Sequence, residues 1–431
     1  MTRFHKLLGV LSACVALSSA CLGGGVADWN QWRGPKRDGV CTETGLLKQW
    51  PEDGPKLLWK LNGLGTGYST VAIAGGKLLT MGDRRQESGG KAQFVIAYDL
   101  ASRKELWAAR VGPPHSDGPR CTPTIDGELT YAVGTSGDLA CLETATGKER
   151  WRKSFESDFG GRMSTMWKFS ESPLVDGDKL LCTPGAENAM VVALNKATGE
   201  TLWKCAVPNL GTKGRPGAAY ASIVVAETDG IRQYVQLVGQ GLIGVRASDG
   251  KLLWSYNRIA NGTANIPTPV VRGNHVFCTT SYGTGAALLE LSRDGDGVKA
   301  KEVYFLPPAV FENIHGGVVL VGDHIYGAKG HKYNHEPICI EFLTGKVAWK
   351  APKPLGRLSC ATLYADGHLY MRYEDGVMVL VEGTPAAYRL KSTWKPESGG
   401  RGFAWAHPVI HDGKLYLRHG DELACYDVKA R

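Results

Sequence analysis

Short apolar runs separated by tight polar turns make up most of the chain after residue 55. One stretch shows the pattern, with apolar runs at 173–175, 179–182, 190–194 and 201–203. The turn Asp176-Gly177 joins the first two runs, and Thr198-Gly199 joins the last two. Such runs are too short for helices, and turn residues that accept positive φ favour hairpins between them. Each unit of this kind therefore predicts four antiparallel strands.

The unit recurs along the chain and ends its fourth strand in Trp. Consecutive units place their Trp 44 to 52 residues apart, a spacing typical of stacked supersecondary units. The units end at Trp107, Trp151, Trp203, Trp254, Trp349 and, in a degenerate form, Trp394. Between Trp254 and Trp349 we predict that Phe305 takes the Trp position. Turn dipeptides mark eight first hairpins in all, so the sequence predicts eight units.

The two ends of the chain complement each other. The last unit, residues 408–427, supplies only three strands, whereas the strand around Trp59 precedes the first complete unit. An open strand edge invites aggregation, and closing a ring removes it. We therefore predict an all-β fold, an eight-bladed β-propeller, closed by the Trp59 strand. Residues 56–431 form a single propeller domain, and residues 28–55 form an N-terminal extension whose 30–35 stretch is expected on the outer wall of the ring.

The first 27 residues are interpreted as an export signal rather than as part of the fold. Basic residues precede an apolar stretch from Leu7 to Leu17, which small residues follow. Two cleavage sites remain open, one after Ala27 and one before Cys21, where the cysteine would carry a lipid. Both predict export to the periplasm or cell envelope, and the second adds a lipid anchor as the only membrane contact.

The net charge argues against nucleic-acid binding, and the cysteine positions bear on disulfide formation. The formal net charge of +8 is spread over 431 residues, without the clustering that nucleic-acid binding needs. Three cysteines, Cys141, Cys339 and Cys425, share one repeat position and are read as buried apolar residues. The sequence leaves open whether disulfides form among the remaining four candidates, Cys41, Cys121, Cys205 and Cys360. A monomer without nucleic acid is expected.

The two faces of the predicted ring differ. Tight turns populate one face, whereas long links between blades fall on the other, the loop-rich face: 154–170, 207–219, 258–264, 306–314 and 395–405. The residues that enter each innermost strand from that face are expected around the mouth of the central channel: Tyr68, Arg120, Glu171, Tyr220, Asn265, His315 and His407, with Trp405 beside the last. These groups suit a flat anionic ligand or a metal ion. The alternative is a rim that only water lines.

The Trp-ended units, with a Thr-Gly-Lys turn before the Trp, resemble the pyrroloquinoline quinone (PQQ) repeat superfamily. The matching stretches are 97–107, 140–151, 193–203, 244–254 and 338–349. The resemblance covers nearly the whole chain after the export signal and implies the eight-bladed ring. It leaves function open, because one fold hosts unrelated activities. Quinoprotein alcohol dehydrogenases hold PQQ and calcium on the ring axis, whereas the outer-membrane assembly lipoprotein BamB has the ring without a cofactor and binds protein partners.

The dehydrogenase branch implies specific roles for residues at the mouth. Glu171 and Asn265 correspond to its calcium ligands, and hard oxygen ligands suit that ion. The following catalytic Asp is replaced by His315, which would be the base in an enzyme, and the cysteine pair that covers the cofactor is absent. Arg120 would pair with a quinone carboxylate, and Trp405 or Trp167 would stack on the ring.

The scaffold branch implies an envelope protein partner, bound at the loop-rich face by residues such as Trp167, Trp405 and Arg401. We therefore expect an exported binding protein, with a PQQ- and calcium-dependent alcohol dehydrogenase as the alternative. A small-molecule ligand at the channel mouth is compatible with either.

Overall fold

A computed structural model of the chain describes residues 27–331 and 335–431. The predicted export signal, including Cys21, lies outside the described residues apart from Ala27. Within the described ranges, no helix combines the length and the apolar character needed to cross a membrane. The helical content there is one short element, α1 (Phe155–Phe159), which begins where the Ser154 side chain accepts a hydrogen bond from the Ser157 amide.

Eight sheets of four antiparallel strands form the ring, and blade VII carries a fifth strand. The N-terminal extension contributes β1 (Val40–Cys41), and the propeller domain begins with β2 (Lys56–Leu61). Blades I and II are β3 (Ala72–Ala74), β4 (Lys77–Arg85), β5 (Lys91–Asp99), β6 (Glu105–Gly112), β7 (Thr124–Asp126), β8 (Leu129–Val133), β9 (Asp138–Glu143) and β10 (Glu149–Ser154). Blades III and IV are β11 (Leu174–Asp176), β12 (Lys179–Cys182), β13 (Val191–Asn195), β14 (Thr201–Cys205), β15 (Val224–Thr228), β16 (Ile231–Val238), β17 (Gly241–Arg246) and β18 (Leu252–Tyr256).

The second half of the ring continues this order. Blades V and VI are β19 (Val270–Arg272), β20 (His275–Thr280), β21 (Gly285–Asp294), β22 (Gly297–Leu306), β23 (Val318–Val321), β24 (His324–Lys329), β25 (Glu336–Glu341) and β26 (Val347–Lys350). Blades VII and VIII are β27 (Cys360–Ala365), β28 (His368–Tyr373), β29 (Met378–Glu382), β30 (Leu390–Trp394), β31 (Val409–His411), β32 (Lys414–His419) and β33 (Glu422–Asp427). Blade VIII is completed by β2, which pairs with β33 and places Trp59 opposite Cys425. The predicted eight-bladed ring and its closing strand are confirmed.

The repeated Trp joins several blades to the next one, as with Trp107 and Gly147, Trp151 and Gly199, and Trp203 and Gly250. The indole N–H of Trp151 donates to the Lys196 carbonyl of the following blade at 3.1 Å, and the ring packs on Gly199 in that blade's last turn. A Cβ at Gly199 would lie 2.7 Å from the Trp151 ring, so the turn must keep a residue without a side chain. The Thr-Gly turn and the Trp of the repeat are therefore two halves of one contact between blades.

The predicted substitute for Trp in blade V is wrong by one position. A register shift lies between Leu288 and Leu289, and it brings Tyr304 opposite Leu288. Tyr304 packs on Gly345 and donates its hydroxyl to the Phe342 carbonyl at 2.8 Å. Tyr304 therefore takes the place of Trp, since the same register shift lies beside the repeat Trp of other blades, for example between Ala193 and Leu194 next to Trp203.

Residues 28–41, here called the plug segment, fill the central channel. The segment contacts the inner strands or their entries in seven blades: Trp29 O with Ile73 N, Asn30 O with Ile125 N, Arg37 with Ser172 O, Trp32 with Thr268, Arg33 with Val318 O, Gly39 O with Tyr364 N, and Cys41 with Ile410 O. Four of its side chains, Trp29, Arg33, Arg37 and Cys41, are at most 6% exposed. The expectation that residues 30–35 lie on the outer wall is therefore wrong.

The path of the plug segment is a loop inserted from the tight-turn face. Trp29 and Asn30 contact Ile73 and Ile125, which lie next to the first turns of blades I and II. The chain then reverses through turns at 31–37 and returns as β1, parallel to β27. The apex, which contains Trp32 and Arg33, therefore faces the channel mouth from below.

Candidate functional site

A cavity of about 340 Å³ occupies the channel mouth on the loop-rich face. Six of the eight residues predicted for the mouth line it: Tyr68, Arg120, Tyr220, His315, Trp405 and His407. The plug segment adds Trp32 and Arg33 and thereby closes the channel beneath. The mouth is thus a blind cavity (the mouth cavity below) rather than the end of an open channel.

Aromatic rings form much of the wall. The Trp405 ring lies 4.5 Å from the Tyr68 ring and 4.8 Å from the His315 ring, centroid to centroid. Phe403 stacks on its outer side at 5.0 Å, and Trp32 lies 4.6 Å from His407. Stacked rings hold one another in place, so these walls are preformed surfaces for an apolar or aromatic group.

The Arg120 guanidinium is already engaged at the rim. Its Nη2 donates to Asp117 Oδ2 at 2.7 Å, and its Nη1 donates to the Trp167 carbonyl at the same distance. Tyr220 holds the same link, because its hydroxyl accepts from the Trp167 amide at 3.3 Å. Arg120 and Tyr220 therefore position the 154–170 link, and the charge of Arg120 is balanced by Asp117.

His315 is held by a buried carboxylate. Its Nδ1 lies 3.1 Å from Glu374 Oε1 and 3.3 Å from Ser359 Oγ, and Ser359 also donates to Glu374. Burial alone would raise the pKa of Glu374, but the hydrogen bonds from His315 and Ser359 hold that pKa below its usual value. The network assigns the proton to Nδ1. Nε2, with no hydrogen-bond partner among the described residues, remains as an acceptor for the cavity.

Arg33 and His407 lie at the floor of the mouth cavity, where Arg33 is charged and His407 is neutral. Burial, followed by the nearby charge of Arg33, lowers the pKa of His407 to about 3, so this imidazole is neutral at physiological pH. Burial also lowers the pKa of Arg33 to about 10, which leaves the guanidinium charged. Arg33 Nη2 donates to the carbonyls of Asp38, at 2.8 Å, and Val318.

Glu171 and Asn265 lie beside the cavity but point away from it. Glu171 is 2% exposed, and its oxygens accept from the Thr183 amide at 2.7 Å and the Thr183 hydroxyl at 2.8 Å. Burial raises the pKa of Glu171 to about 7, against the hydrogen bonds from Thr183 and the charge of Arg37. The Asn265 amide donates to the carbonyls of Val238 and Gly239.

Comparison with known proteins decides the family. A family model described as outer membrane protein assembly factor BamB matches residues 91–351, more than half of the chain. The chain belongs to this family. Its BamB-type relatives include that of Shewanella oneidensis, 24% identical over 265 residues, which are 56% of this chain and 60% of the relative. That of Nitrosomonas eutropha is 27% identical over 169 residues, which are 39% of this chain and 35% of the relative. The chain thus matches less than two thirds of the length of either.

Solved structures share the fold across both branches of the superfamily. BamB from Moraxella catarrhalis has a TM-score of 0.60 at 13% identity, covering 86% of this chain and 99% of that chain. The quinohemoprotein alcohol dehydrogenase from Comamonas testosteroni has a TM-score of 0.63 at 14% identity, covering 94% of this chain and 81% of that chain. At these identities the likeness shows the propeller alone, so the site must be judged on its own residues.

The hydrogen bonding of this BamB-family chain does not fit the calcium site that the dehydrogenase branch implies. Calcium needs free carboxylate and amide oxygens around one point. Both Glu171 oxygens are taken by Thr183, and Asn265 Oδ1 accepts from the Asn261 amide at 3.0 Å. Within residues 27–331 and 335–431, no three His, Cys, Asp or Glu side chains cluster as metal ligands. No step through a metal-bound quinone follows from this arrangement.

Sequence reasoning missed Trp32, Arg33 and Glu374 at the mouth. Trp32 and Arg33 belong to a segment without repeat periodicity, so no pattern ties them to the channel. Glu374 follows β28, and the available signal was the charge itself, since a carboxylate at the end of an apolar strand seldom lies buried without a partner. The nine cysteines within the described residues are all buried and unpaired, so the disulfides left open for Cys41, Cys121, Cys205 and Cys360 are not formed.

Proposed function

We propose that this protein is an exported binding and scaffolding propeller of the cell envelope that engages a protein partner through its loop-rich face. Membership of the BamB family supports the proposal, since the relatives are described as outer membrane protein assembly factors. The geometry supports it independently, because the exposed aromatic side chains Trp167 and Phe403 lie beside the mouth cavity on the loop-rich face.

Exposed apolar side chains around the mouth cavity carry the proposal. Met166 is 77% exposed, Trp167 37% and Phe403 44%, and they belong to two of the long links. Trp167 and the Phe403–Trp405 stack flank the cavity. Exposed aromatic side chains beside a pocket are typical anchors of protein interfaces. The tight hairpin turns on the opposite face leave little surface that a partner could enclose.

A site-specific photocrosslinking experiment tests the docking face. A photoreactive amino acid replaces Trp167 or Phe403 in the full chain, and the protein is illuminated in the cells that make it. Matched controls replace Leu106 or Leu202, which are 46% and 44% exposed on outer strands. We expect discrete adducts from the two mouth positions and none from the controls. Adducts of the same mass and yield from all four positions, or from the controls alone, would reject the loop-rich face as the docking surface.

Export and anchoring form a separate part of the proposal. The proposed export signal is residues 1–27, cleaved after Ala27, with cleavage before a lipidated Cys21 as the alternative. Cys21→Ala should move the protein from the membrane pellet to the soluble periplasmic fraction if the cysteine carries the anchor. A variant that stays in the same fraction as the unsubstituted protein would select cleavage after Ala27, or another means of attachment.

The quinoprotein activity remains a second candidate, because the His315–Glu374 pair presents a free Nε2 to an aromatic cavity. Titration of PQQ with calcium into the purified protein, followed by Trp fluorescence and by dye reduction with alcohols, separates the two functions. The scaffold proposal expects no saturable quenching and no dye reduction. Saturable quenching with dye reduction, both lost in Glu171→Gln, would overturn it in favour of the enzyme.

A further inference from the structure

The floor of the mouth cavity holds a buried positive charge, the guanidinium of Arg33. Arg33 is 4% exposed, and its hydrogen bonds are made by Nη2 to two backbone carbonyls. Its Nε is buried without a partner among the described residues. The nearby charge of Asp38 raises the pKa of Arg33 against burial, but among the described residues no salt bridge is made to the guanidinium, and a buried guanidinium without one is costly. Here the charge borders a cavity large enough for a small molecule.

The other ionised groups at or next to the cavity have side-chain partners. Arg120 is paired with Asp117 at 2.7 Å, and Glu374 is engaged by His315 and Ser359. His407 is neutral for the reason given above. Arg33 is therefore a charged residue of the cavity lining whose guanidinium has no side-chain partner among the described residues, and a carboxylate on the ligand would supply one.

The position of Arg33 depends on a glycine in the wall. A Cβ at Gly317 would lie 2.2 Å from Arg33 Nη1, and the backbone there has φ +63°. The chain thus keeps both a left-handed conformation and an absent side chain at the point where the guanidinium meets the cavity lining. This close approach fixes the guanidinium against the wall of the cavity rather than in the body of the plug segment.

We propose that the mouth cavity binds a hydroxylated aromatic monocarboxylate, with the carboxylate at Arg33 and the hydroxyl donated to His315 Nε2. The ring lies among Trp32, Tyr68 and Trp405, whose faces supply stacking surface. The hydroxyl is required because Glu374 holds the proton of His315 on Nδ1, which leaves Nε2 as an acceptor. This ligand site is a proposal separate from the docking of a protein partner on the loop-rich face. Neither proposal depends on the other.

Calorimetric titration with the three hydroxybenzoate isomers tests the site in the full mature protein. We expect saturable binding of at least one isomer. For that isomer, benzoate lacks the hydroxyl and the matching hydroxybenzamide lacks the charge. Each should bind about tenfold more weakly, since an unpaired polar group is left in the cavity.

Two variants assign the two ends of the ligand. Arg33→Gln should weaken the hydroxybenzoate about tenfold and leave the hydroxybenzamide unchanged, whereas His315→Gln should weaken both and leave benzoate unchanged. Arg103→Gln, a change in an exposed turn, is the matched control, and thermal melting verifies that each variant is folded. If Arg33→Gln does not fold, the proposal is still tested by the affinities of His315→Gln for the same ligands and by the comparison of hydroxybenzoate with hydroxybenzamide in the unsubstituted protein.

Three results would overturn the proposal: no saturable binding of any isomer, equal affinity for the acid and the amide, or equal affinity for benzoate and the hydroxybenzoate. None of them bears on the crosslinking experiment, which probes the rim. Failure of this site and failure of the docking face are therefore distinguishable.

Discussion

The Trp–Gly contact between blades makes a quantitative prediction at Gly199. In Gly199→Ala the new methyl group would lie 2.7 Å from Trp151 Cδ2 and 2.9 Å from Cε3, on a backbone with φ +75°. The left-handed conformation costs about 1 kcal/mol for alanine. Displacement of a packed indole adds about 2 kcal/mol, because overpacking strains neighbours and the Trp151 hydrogen bond to Lys196 is lengthened. We expect the free energy of unfolding to fall by about 3 kcal/mol.

Gly177 provides the matched control. It lies in the first turn of the same blade with φ +62°, and a Cβ there would meet nothing within 4 Å. Gly177→Ala should therefore lower the free energy of unfolding by only the backbone strain, about 1 kcal/mol. The difference between the two substitutions isolates the contact with Trp151.

Equilibrium urea denaturation followed by circular dichroism measures both changes. In a Trp151→Leu background the penalty of Gly199→Ala should shrink to about that of Gly177→Ala, about 1 kcal/mol, since the ring that the methyl group displaces is gone. Equal destabilisation by the two Gly→Ala changes, or an unchanged Gly199→Ala penalty in the Trp151→Leu background, would refute the role of this contact.

Three further predictions follow from buried groups and from ring closure. Because burial raises the pKa of Glu171 from 4.5 to about 7, its contribution to stability is full below pH 4.5 and is lost as the pH rises to about 7, about 3 kcal/mol in all. Urea unfolding should therefore show a flatter pH dependence in Glu171→Gln than in the unsubstituted protein over that window, and parallel curves would contradict it. Burial raises the pKa of cysteines such as Cys121 and Cys205 to about 12, so iodoacetamide should label none of the nine described cysteines before urea is added; a labelled site in the native protein, located by mass spectrometry, would contradict this. Trp59→Pro removes a backbone N–H from β2 and should expose the edge of β33. We expect concentration-dependent aggregation, measured by light scattering. The control Leu58→Ala, at a 39% exposed position, should leave the protein monomeric.

Repeat periodicity determined the ring. Each unit carries its own strand pattern and its own contact to the next unit, so eight copies of a local signal specify a global architecture. The same phase located the entries of the inner strands, and six of the eight predicted mouth residues line the cavity as a result. Closure by the strand of Trp59 followed from the missing fourth strand of the last unit.

Side-chain direction at the mouth was decided by the tertiary structure. Successive residues of an extended chain point to opposite sides, so a shift of one residue reverses what faces the cavity. Ser170 and Ser172 line the cavity and Glu171 between them does not; Ala264 and Ile266 line it and Asn265 does not. The repeat phase located each entry to within a residue, which was too coarse to choose the side.

The plug segment lay beyond any local signal. Arg33 meets Val318, and Arg37 meets Ser172, across more than a hundred residues of sequence. Such contacts form only once the ring exists, because the channel that the segment fills is made by eight blades together. The sequence by itself therefore determined the ring and where its mouth lies. The folded ring alone decided that the N-terminal extension would close the channel and place a buried positive charge beneath the mouth.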